Sequence, residues 1–511
     1  MGIFALYDTV SIQKYIYSSN RLRDNQGASA LVEQCFSQLL TEAVRKEKAE
    51  GIFSKICMDW NTYPEKVQFL EDAKVDCEVL YIGGGNALLY FRDETGATWR
   101  KVNETFSAAL FEKMPGLSVV TEIQEDTGEF GKDLDFLFKK LQLKKYRSRG
   151  VQDVPCLSVT RQCAWSGKPA VGQGADGNWI AEEIVKKREA SGKEIAGDQY
   201  KEIRELSGVS GEQWVAVVHI DGNRMGDSIR KLTEGKDAKS GIRQLRKFSI
   251  ETDEVYHTAY EEMKAWCAAW IQESEDARLT FYQGKTEPPF RKIYGAGDDL
   301  TFLCYAPLAI RAAEHFLKNL EKQQGCEGIT MSACAGIAFA KPGYPFAKAY
   351  EIAEACCRSA KKRTEEEMGS YLDFQVIYGG LNSLSQMRKK QQEENRIRML
   401  RPYRVADSKR DELKNFYLVS DWIADSKIAR SKWKELRGAY SAQESAQKES
   451  EERIRRRYNK PITELLNLLN KNGLLNDSGA SGSAAVLMLW DGLETMDLYI
   501  KRPGAWQGGG R

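Results

Sequence analysis

No stretch of the 511 residues approaches the roughly 18 consecutive apolar residues of a membrane-spanning helix. The N-terminus also lacks the basic region, apolar core and small-residue cleavage site of a leader. A cytoplasmic protein with no membrane contact is expected. The formal net charge is only +2, which excludes a whole-molecule field for nucleic acid and leaves such binding to local patches. No disulfide framework is apparent: there are eleven cysteines, and Cys35, Cys304, Cys334 and Cys356 lie inside apolar helix or strand patterns, as reduced core thiols do. At this length and 42% hydrophobic residues, the chain can bury a large core and is expected to form two to four domains.

Two carboxylates stand where they are least expected. In "RKIYGAGDDLTFLC", from 291 to 304, Asp298 and Asp299 follow a glycine-bearing turn and precede an apolar strand. A related pattern without the acids occurs at 77 to 91, "CEVLYIGGGNALLYF". Aligning the turns places Gly85 on Gly297, Asn86 on Asp298 and Ala87 on Asp299. The likeness extends upstream, because "FALYDTVSIQ" around Asp8 and "AVVHIDGNRMG" around Asp221 are both apolar strands ending in aspartate. The aspartate-to-glycine distances are 77 (85 − 8) and 76 (297 − 221). Downstream, Leu117 and Ile329 open strand patterns 212 residues apart (329 − 117), the same offset as Gly85 and Gly297. Three elements in one order at nearly one offset indicate a duplication.

Each copy reads strand, helix, two hairpin strands, helix, strand, helix, the arrangement of ferredoxin-like folds. In the second copy, Val255, Ala259, Met263, Trp266 and Trp270 mark one face of the helix after Asp221. Phe346, Tyr350, Ala353 and Cys357 mark one face of the last helix, which ends in the basic run Lys361, Lys362, Arg363. In this topology strands one and three are neighbours, so Asp221 converges on the Asp298/Asp299 turn. Crowded carboxylates raise one another's pKa unless a cation is shared among them. Magnesium or manganese suits such an oxygen site, and a metal there can serve phosphoryl transfer. The metal set is Asp221, Ile220, Asp298 and Asp299, the three aspartates also being the catalytic set. Adjacent strand residues face opposite sides, so Asp298 and Asp299 share one ion only if Asp298 lies in the turn. Glycines let a triphosphate approach the backbone, which assigns nucleotide binding to Gly295 and Gly297. "DGNRMG" opens a helix whose amides suit phosphate, which adds Gly222, Asn223 and Gly226. A surface hairpin with solvated aspartates is the competing reading of the turn taken alone.

These residues resemble a known family. "DGNRMG", "GAGDD", "CAGIAFAKPGYPFAKAYEIAEACCRSAKKR" and the N-terminal "DTVSIQKYIYSSNRLRDNQGASALV" look like the large palm-domain subunit of type III CRISPR complexes, the Cas-ten or Cmr-type family. The resemblance covers roughly residues 1 to 150 and 212 to 380, and "LRPYRV" after them is also similar. It implies two facing palms, the second polymerising ATP into cyclic oligoadenylate, other type III subunits and guide or target RNA as partners, and a triphosphate contact for Lys361. Ala296 replaces the first glycine of the family's glycine-glycine-aspartate-aspartate motif. Many members carry a histidine-aspartate nuclease domain. Here no His-Asp dipeptide occurs and the histidines are His219, His257 and His315, so such DNA cutting is not expected. His219 reads as a packed strand residue.

The fold class expected is therefore α+β: two ferredoxin-like palm (nucleotidyl cyclase) domains in tandem, a small intervening domain and a C-terminal helical domain. The boundaries are 1–150 for a catalytically degenerate first palm, 151–211 for an insertion, 212–385 for the catalytic palm and 386–511 for the helical part. Gly83, Gly84, Gly85 and Asn86 would cradle the acceptor nucleotide, a purely structural pseudo-dimer half being the competing reading of the first copy. Relatives often hold zinc between the palms with four cysteines; only Cys156 and Cys163 lie here, so zinc is not expected there. The 172–213 segment reads as an exposed excursion. Ile462, Leu465, Leu466, Leu468 and Leu469 read as a docked helix face, and Arg453, Arg455, Arg456 and Arg457 as a solvated one. Residues 476–483 read as a flexible loop and 504–511 as a disordered end. Beside the ATP-using synthase stands a second reading: a catalytically silent scaffold or RNA-binding subunit. Buried carboxylates without a use are costly and count against it.

Overall fold

The computed structural model describes residues 2–147, 156–192 except 176, 206, 213–323, 328–392, 399–406, 412–440 except 427, 484–501 and isolated positions between 449 and 467. Most of the insertion's second half, the leucines at 462–469, Arg455, the 476–483 loop and the 504–511 end lie outside them.

Strands β1 (Ile3–Val10), β2 (Lys55–Cys57), β3 (Val75–Gly83), β4 (Asn86–Phe91) and β5 (Ser118–Glu125) form one sheet in the order β2-β3-β4-β1-β5. A two-residue-strand ribbon, β6 (Gly172–Gln173) with β7 (Trp179–Ile180), separates it from the second sheet. There β8 (Val215–Gly222), β9 (Phe290–Ala296), β10 (Asp299–Tyr305), β11 (Ala333–Ala340), β12 (Ser370–Val376) and β13 (Tyr403–Val405) run in the order β13-β12-β11-β8-β10-β9. Without the additional strands β2, β12 and β13, the two orders are the same: hairpin strands on one side of the first strand, last strand on the other. β1 and β8 are central and read as near-continuous apolar runs because both faces are covered.

The helices of the first half include α1 (Ile12–Ile16), α2 (Leu22–Gln34), α3 (Ala97–Lys113) and α4 (Phe130–Arg147). The intervening segment supplies α5 (Glu182–Ala190). The second half adds α6 (Met225–Thr233), α7 (Ala238–Glu273), α8 (Ala309–Lys322) and α9 (Phe346–Glu366), and beyond it come α10 (Glu412–Asp425), α11 (Arg430–Tyr440) and α12 (Ala484–Thr495). The apolar stripe of α7 turns Tyr256, Ala259, Met263 and Trp270 inward, and that of α9 turns Phe346, Tyr350, Ala353 and Cys357 inward.

The halves share their cores. The face of the first sheet carrying Phe4, Leu6, Leu80 and Leu88 packs on Ala238, Ile242 and Leu245 of α7. The opposite face, with Tyr7, Val79 and Leu89, belongs to one cluster with Tyr350, Ala353 and Cys356 of α9. Arg246 of α7, fully buried, donates to the carbonyls of Leu80 (2.7 Å) and Val79 (3.1 Å) and pairs with Glu78 at 2.8 Å.

Two expectations need correction. The segment read as an exposed excursion contains α5, which lies against α2 with Ile184 and Lys187 at 0% exposure. A side chain at Gly27 of α2 would collide with the Lys187 backbone, so a glycine there permits the approach. The boundary at 385 also divides one packed body. β13 pairs with β12, and Leu413, Phe416 and Leu493 share the core of Phe302 and Ile337. Buried Arg401 ties this region together through Asp491 at 3.0 Å.

Candidate active site

Antiparallel pairing sets the site. β8 and β10 place Asp221 directly opposite Asp299, His219 opposite Thr301 and Ile220 opposite Leu300. Opposite residues share a face, so Asp221, Asp299, His219 and Thr301 all point toward α9. Ala296 pairs with Asp299, which leaves Gly297 and Asp298 as a two-residue turn, Gly297 having φ +60°. Asp298 thus meets the condition for sharing a cation with its neighbour. It packs beside Gly222: a side chain on that glycine would stand 2.7 Å from both Cβ and Oδ2 of Asp298 and 2.8 Å from the Tyr256 hydroxyl. The Ile220 side chain is buried in the core, so only its main chain is available to a ligand.

Burial, with Asp221 adding repulsion, pushes the Asp298 carboxyl up to about 6. Burial likewise holds Asp299 well above the carboxylate range, with Asp221 and Asp298 adding to the effect. Asp299 Oδ2 accepts from Gln13 Nε2 of α1 at 3.2 Å, whereas its buried Oδ1 has no hydrogen-bond partner among the described residues. Lys361 Nζ lies 2.7 Å from Asp221 Oδ2 and donates to the Gly222 carbonyl at 2.8 Å. Burial opposes its charge, but Asp221 holds the ammonium above its ordinary value. Burial lowers His219 to about 4, so its ring is neutral at pH 7.

The remaining predicted residues divide by position. The side chain of Asn223 donates to Ser332 Oγ and the Gly369 carbonyl, each at 3.0 Å, and so fixes the loop after β8. Gly226 sits in the first turn of α6 with open space where a side chain would stand. The N–H groups there precede the first helical hydrogen bond, from Ser228 to Arg224, and are free of helical acceptors. Gly295 is set back within β9, opposite Leu300.

The first half brings its own turn to this place. Gly83 pairs with Asn86, leaving Gly84 and Gly85 as the turn with φ +58° and +79°. A side chain built on Gly297 would stand 3.5 Å from the Gly84 α-carbon, so the two turns meet. A cavity of about 360 Å3 opens between them, walled by Gln13 and Gly84 from the first half and His219, Asp221, Asp298 and Asp299 from the second. It shares Gln13 and Glu354 with a cavity of about 630 Å3 that reaches Lys14, Ser118 and Lys145.

The pairing also shifts the internal alignment by one residue. Asp8 lies opposite Asn86 as Asp221 lies opposite Asp299, so Asn86 corresponds to Asp299 and Gly84 to Gly297. Both aspartate-to-turn distances then equal 76 (84 − 8 and 297 − 221). The first half keeps one acid of the site: Asp8 pairs with Lys145 of α4 at 2.5 Å, as Asp221 pairs with Lys361 of α9. Reasoning from sequence missed Lys145, Gln13 and Glu354. The position of Lys145 at the end of the helix after the last strand, matching that of Lys361, was the available signal.

Residues 214–368 match the family model for Cas10/Cmr2, second palm domain. This segment is similar to a palm of the Cas10/Cmr2 type. The resemblance drawn from the motifs holds on it. Three solved structures resemble the chain in fold. A Csm1–Csm4 cassette in complex with pppApA has TM-score 0.51 at 14% identity, over 98% of this chain and 69% of that chain. The cassette in complex with one ATP has TM-score 0.50 at 13% identity, over 98% and 70%. Csm1 in T.onnurineus has TM-score 0.50 at 13% identity, over 97% and 69%. The chain spans between 54% and 70% of the length of the Csm1 chains it matches. No curated protein sequence matches it significantly, and no helix among the described residues is long and apolar enough to cross a membrane.

Proposed function

We propose that this Cas10/Cmr2-type chain is a nucleotidyltransferase that joins ATP into oligoadenylate, cyclic in its final form, as a signal in type III CRISPR defence. The observation that carries this reading is the cavity where Asp221, Asp298 and Asp299 face the Gly84 turn of the other half. The donor triphosphate lies on the second half, with its phosphates toward the start of α6 and Lys361. The acceptor lies over the Gly84–Gly85 turn, where the lack of side chains admits it. A ribose hydroxyl oxygen attacks the α-phosphorus, the new P–O bond forms as the bond to pyrophosphate breaks, and the hydroxyl proton passes to solvent water. Face-to-face holding of the two nucleotides supplies several kcal/mol of the barrier, up to about 7–11 for ideal orientation.

The donor set suits magnesium or manganese: three crowded carboxylates, one with a buried oxygen lacking a partner, lose their mutual repulsion when a cation joins them. Such a metal, when bound, polarises the attacking hydroxyl and neutralises charge on the leaving pyrophosphate. Lys361 then turns from Asp221 to the triphosphate. Structures of fold-related Csm1–Csm4 cassettes with ATP and pppApA support this reading, and by the same likeness another type III subunit is the partner proposed here.

Incubating the purified chain with labelled ATP and Mg2+ or Mn2+, with and without RNA, tests it. Pyrophosphate and adenylate oligomers are expected, and the Asp298→Ala/Asp299→Ala double variant should make none while keeping its circular dichroism. Products from the double variant would place the chemistry elsewhere.

A further inference from the structure

The face that carries the carboxylates also carries groups that phosphoryl transfer does not call for. His219, Asp221 and Cys357 each offer a donor atom within 4.8 Å of the other two. All three line the 360 Å3 cavity, with His219 3% and Cys357 1% exposed. The duplication shows that the fold does not require them. With β1 on β8 and β4 on β10, His219 corresponds to Leu6 and Thr301 to Leu88. Cys357 stands four residues before Lys361 as Leu141 stands four before Lys145. Leu6, Leu88 and Leu141 pack together in one apolar core, whereas the second half has a ring nitrogen, a hydroxyl and a thiol at the matching positions.

We propose that this centre is also a binding site for a thiophilic divalent cation of the zinc class, held by His219, Asp221 and Cys357. The fourth ligand is Asp299, whose buried Oδ1 has no hydrogen-bond partner among the described residues and lies 3.4 Å from His219 Nδ1. Imidazole, carboxylate and thiolate form a set that zinc prefers and magnesium does not. Zinc ligands lie about 2.0–2.3 Å from the metal, so a small inward rotation of Asp221, released from Lys361, closes the site. On binding, the thiol gives up its proton and the sulfur–zinc bond forms. The zinc-bound state withholds Asp221 and Asp299 from Mg2+, so zinc acts as an inhibitor of the proposed synthase. The inference rests on that function for its consequence but not for the site itself.

Metal binding is therefore read without turnover. Co2+ added to the metal-free chain should bind with a sulfur-to-cobalt charge-transfer band in the near ultraviolet that Zn2+ abolishes. The band should vanish in Cys357→Ser, with zinc affinity lower by about tenfold or more, and should persist in Cys156→Ser/Cys163→Ser. A band that survives Cys357→Ser, or never appears, overturns the proposal. Zinc X-ray absorption on the unaltered chain decides the matter even if that variant misfolds. A shell with one sulfur is expected, and none, or two or more, rejects the site. If the cobalt band is present but ATP is not converted, the site stands and the synthase reading fails.

Discussion

Asp298 has a raised pKa, about 6 against an ordinary 3.8, because it is buried beside Asp221. A carboxyl raised on folding favours the protonated form, so its contribution to stability is full below 3.8 and is lost as pH rises through about 6. Asp298→Asn should therefore raise the melting temperature at pH 8, by the equivalent of on the order of 1–3 kcal/mol, and the gain should vanish below the ordinary carboxylate pKa. Thermal melts of both proteins across pH check this; an equal gain at every pH would mean the carboxyl is not held protonated by its surroundings. Lys361 has the opposite test. Lys361→Ala should weaken ATP binding about tenfold, with Lys361→Arg recovering only part because a planar fork does not replace a compact ammonium. Calorimetric titration with a non-hydrolysable ATP analogue measures it, and unchanged affinity would leave Lys361 as a partner of Asp221 alone.

The two hairpins show what the sequence could and could not disclose. Asp221 and the 298–299 pair were legible because continuous apolar runs fix where β8 stops and where β10 starts. The turn of the first hairpin was not, because Gly83, Gly84 and Gly85 carry no side chains and a one-residue slip among them leaves no mark on the hydrophobic pattern. Only the pairing of Gly83 with Asn86 resolves it. His219 and Cys357 were read as packing residues, and their burial agrees; their proximity to Asp221 is a property of α9 lying over β8, which no local spacing reports. Correct register yields a prediction at this scale. Asn86→Asp places a carboxylate opposite Asp8, reproducing the Asp221–Asp299 pair in the first half. Mn2+ stoichiometry, followed by electron paramagnetic resonance, should rise relative to the unaltered chain, while product formation still requires Asp298 and Asp299.

The molecule as a whole carries both turns, so the composite site needs no second copy. Activity per chain should be independent of concentration across the monomer range; activity lost on dilution and not restored by a type III partner or guide RNA would contradict a site formed within one chain. Arg246 is the test of how firmly the halves are joined. Arg246→Ala leaves Glu78 buried without its guanidinium, a loss of about 3–5 kcal/mol for a broken buried pair, read as a lower denaturant midpoint.

That same arginine sets a timetable for synthesis. One face of the first sheet, with Phe4, Leu6, Leu80 and Leu88, is covered by Ala238, Ile242 and Leu245 of α7. The ribosome completes α4 at Arg147 but must add 99 more residues (246 − 147) before Arg246 can reach the Leu80 carbonyl. At about 5–20 residues per second, the first half waits roughly 5–20 s with that apolar face partly open. The N-terminal half emerges first yet cannot close that face until α7 has been made, and in that interval it exposes the kind of apolar surface that chaperones bind.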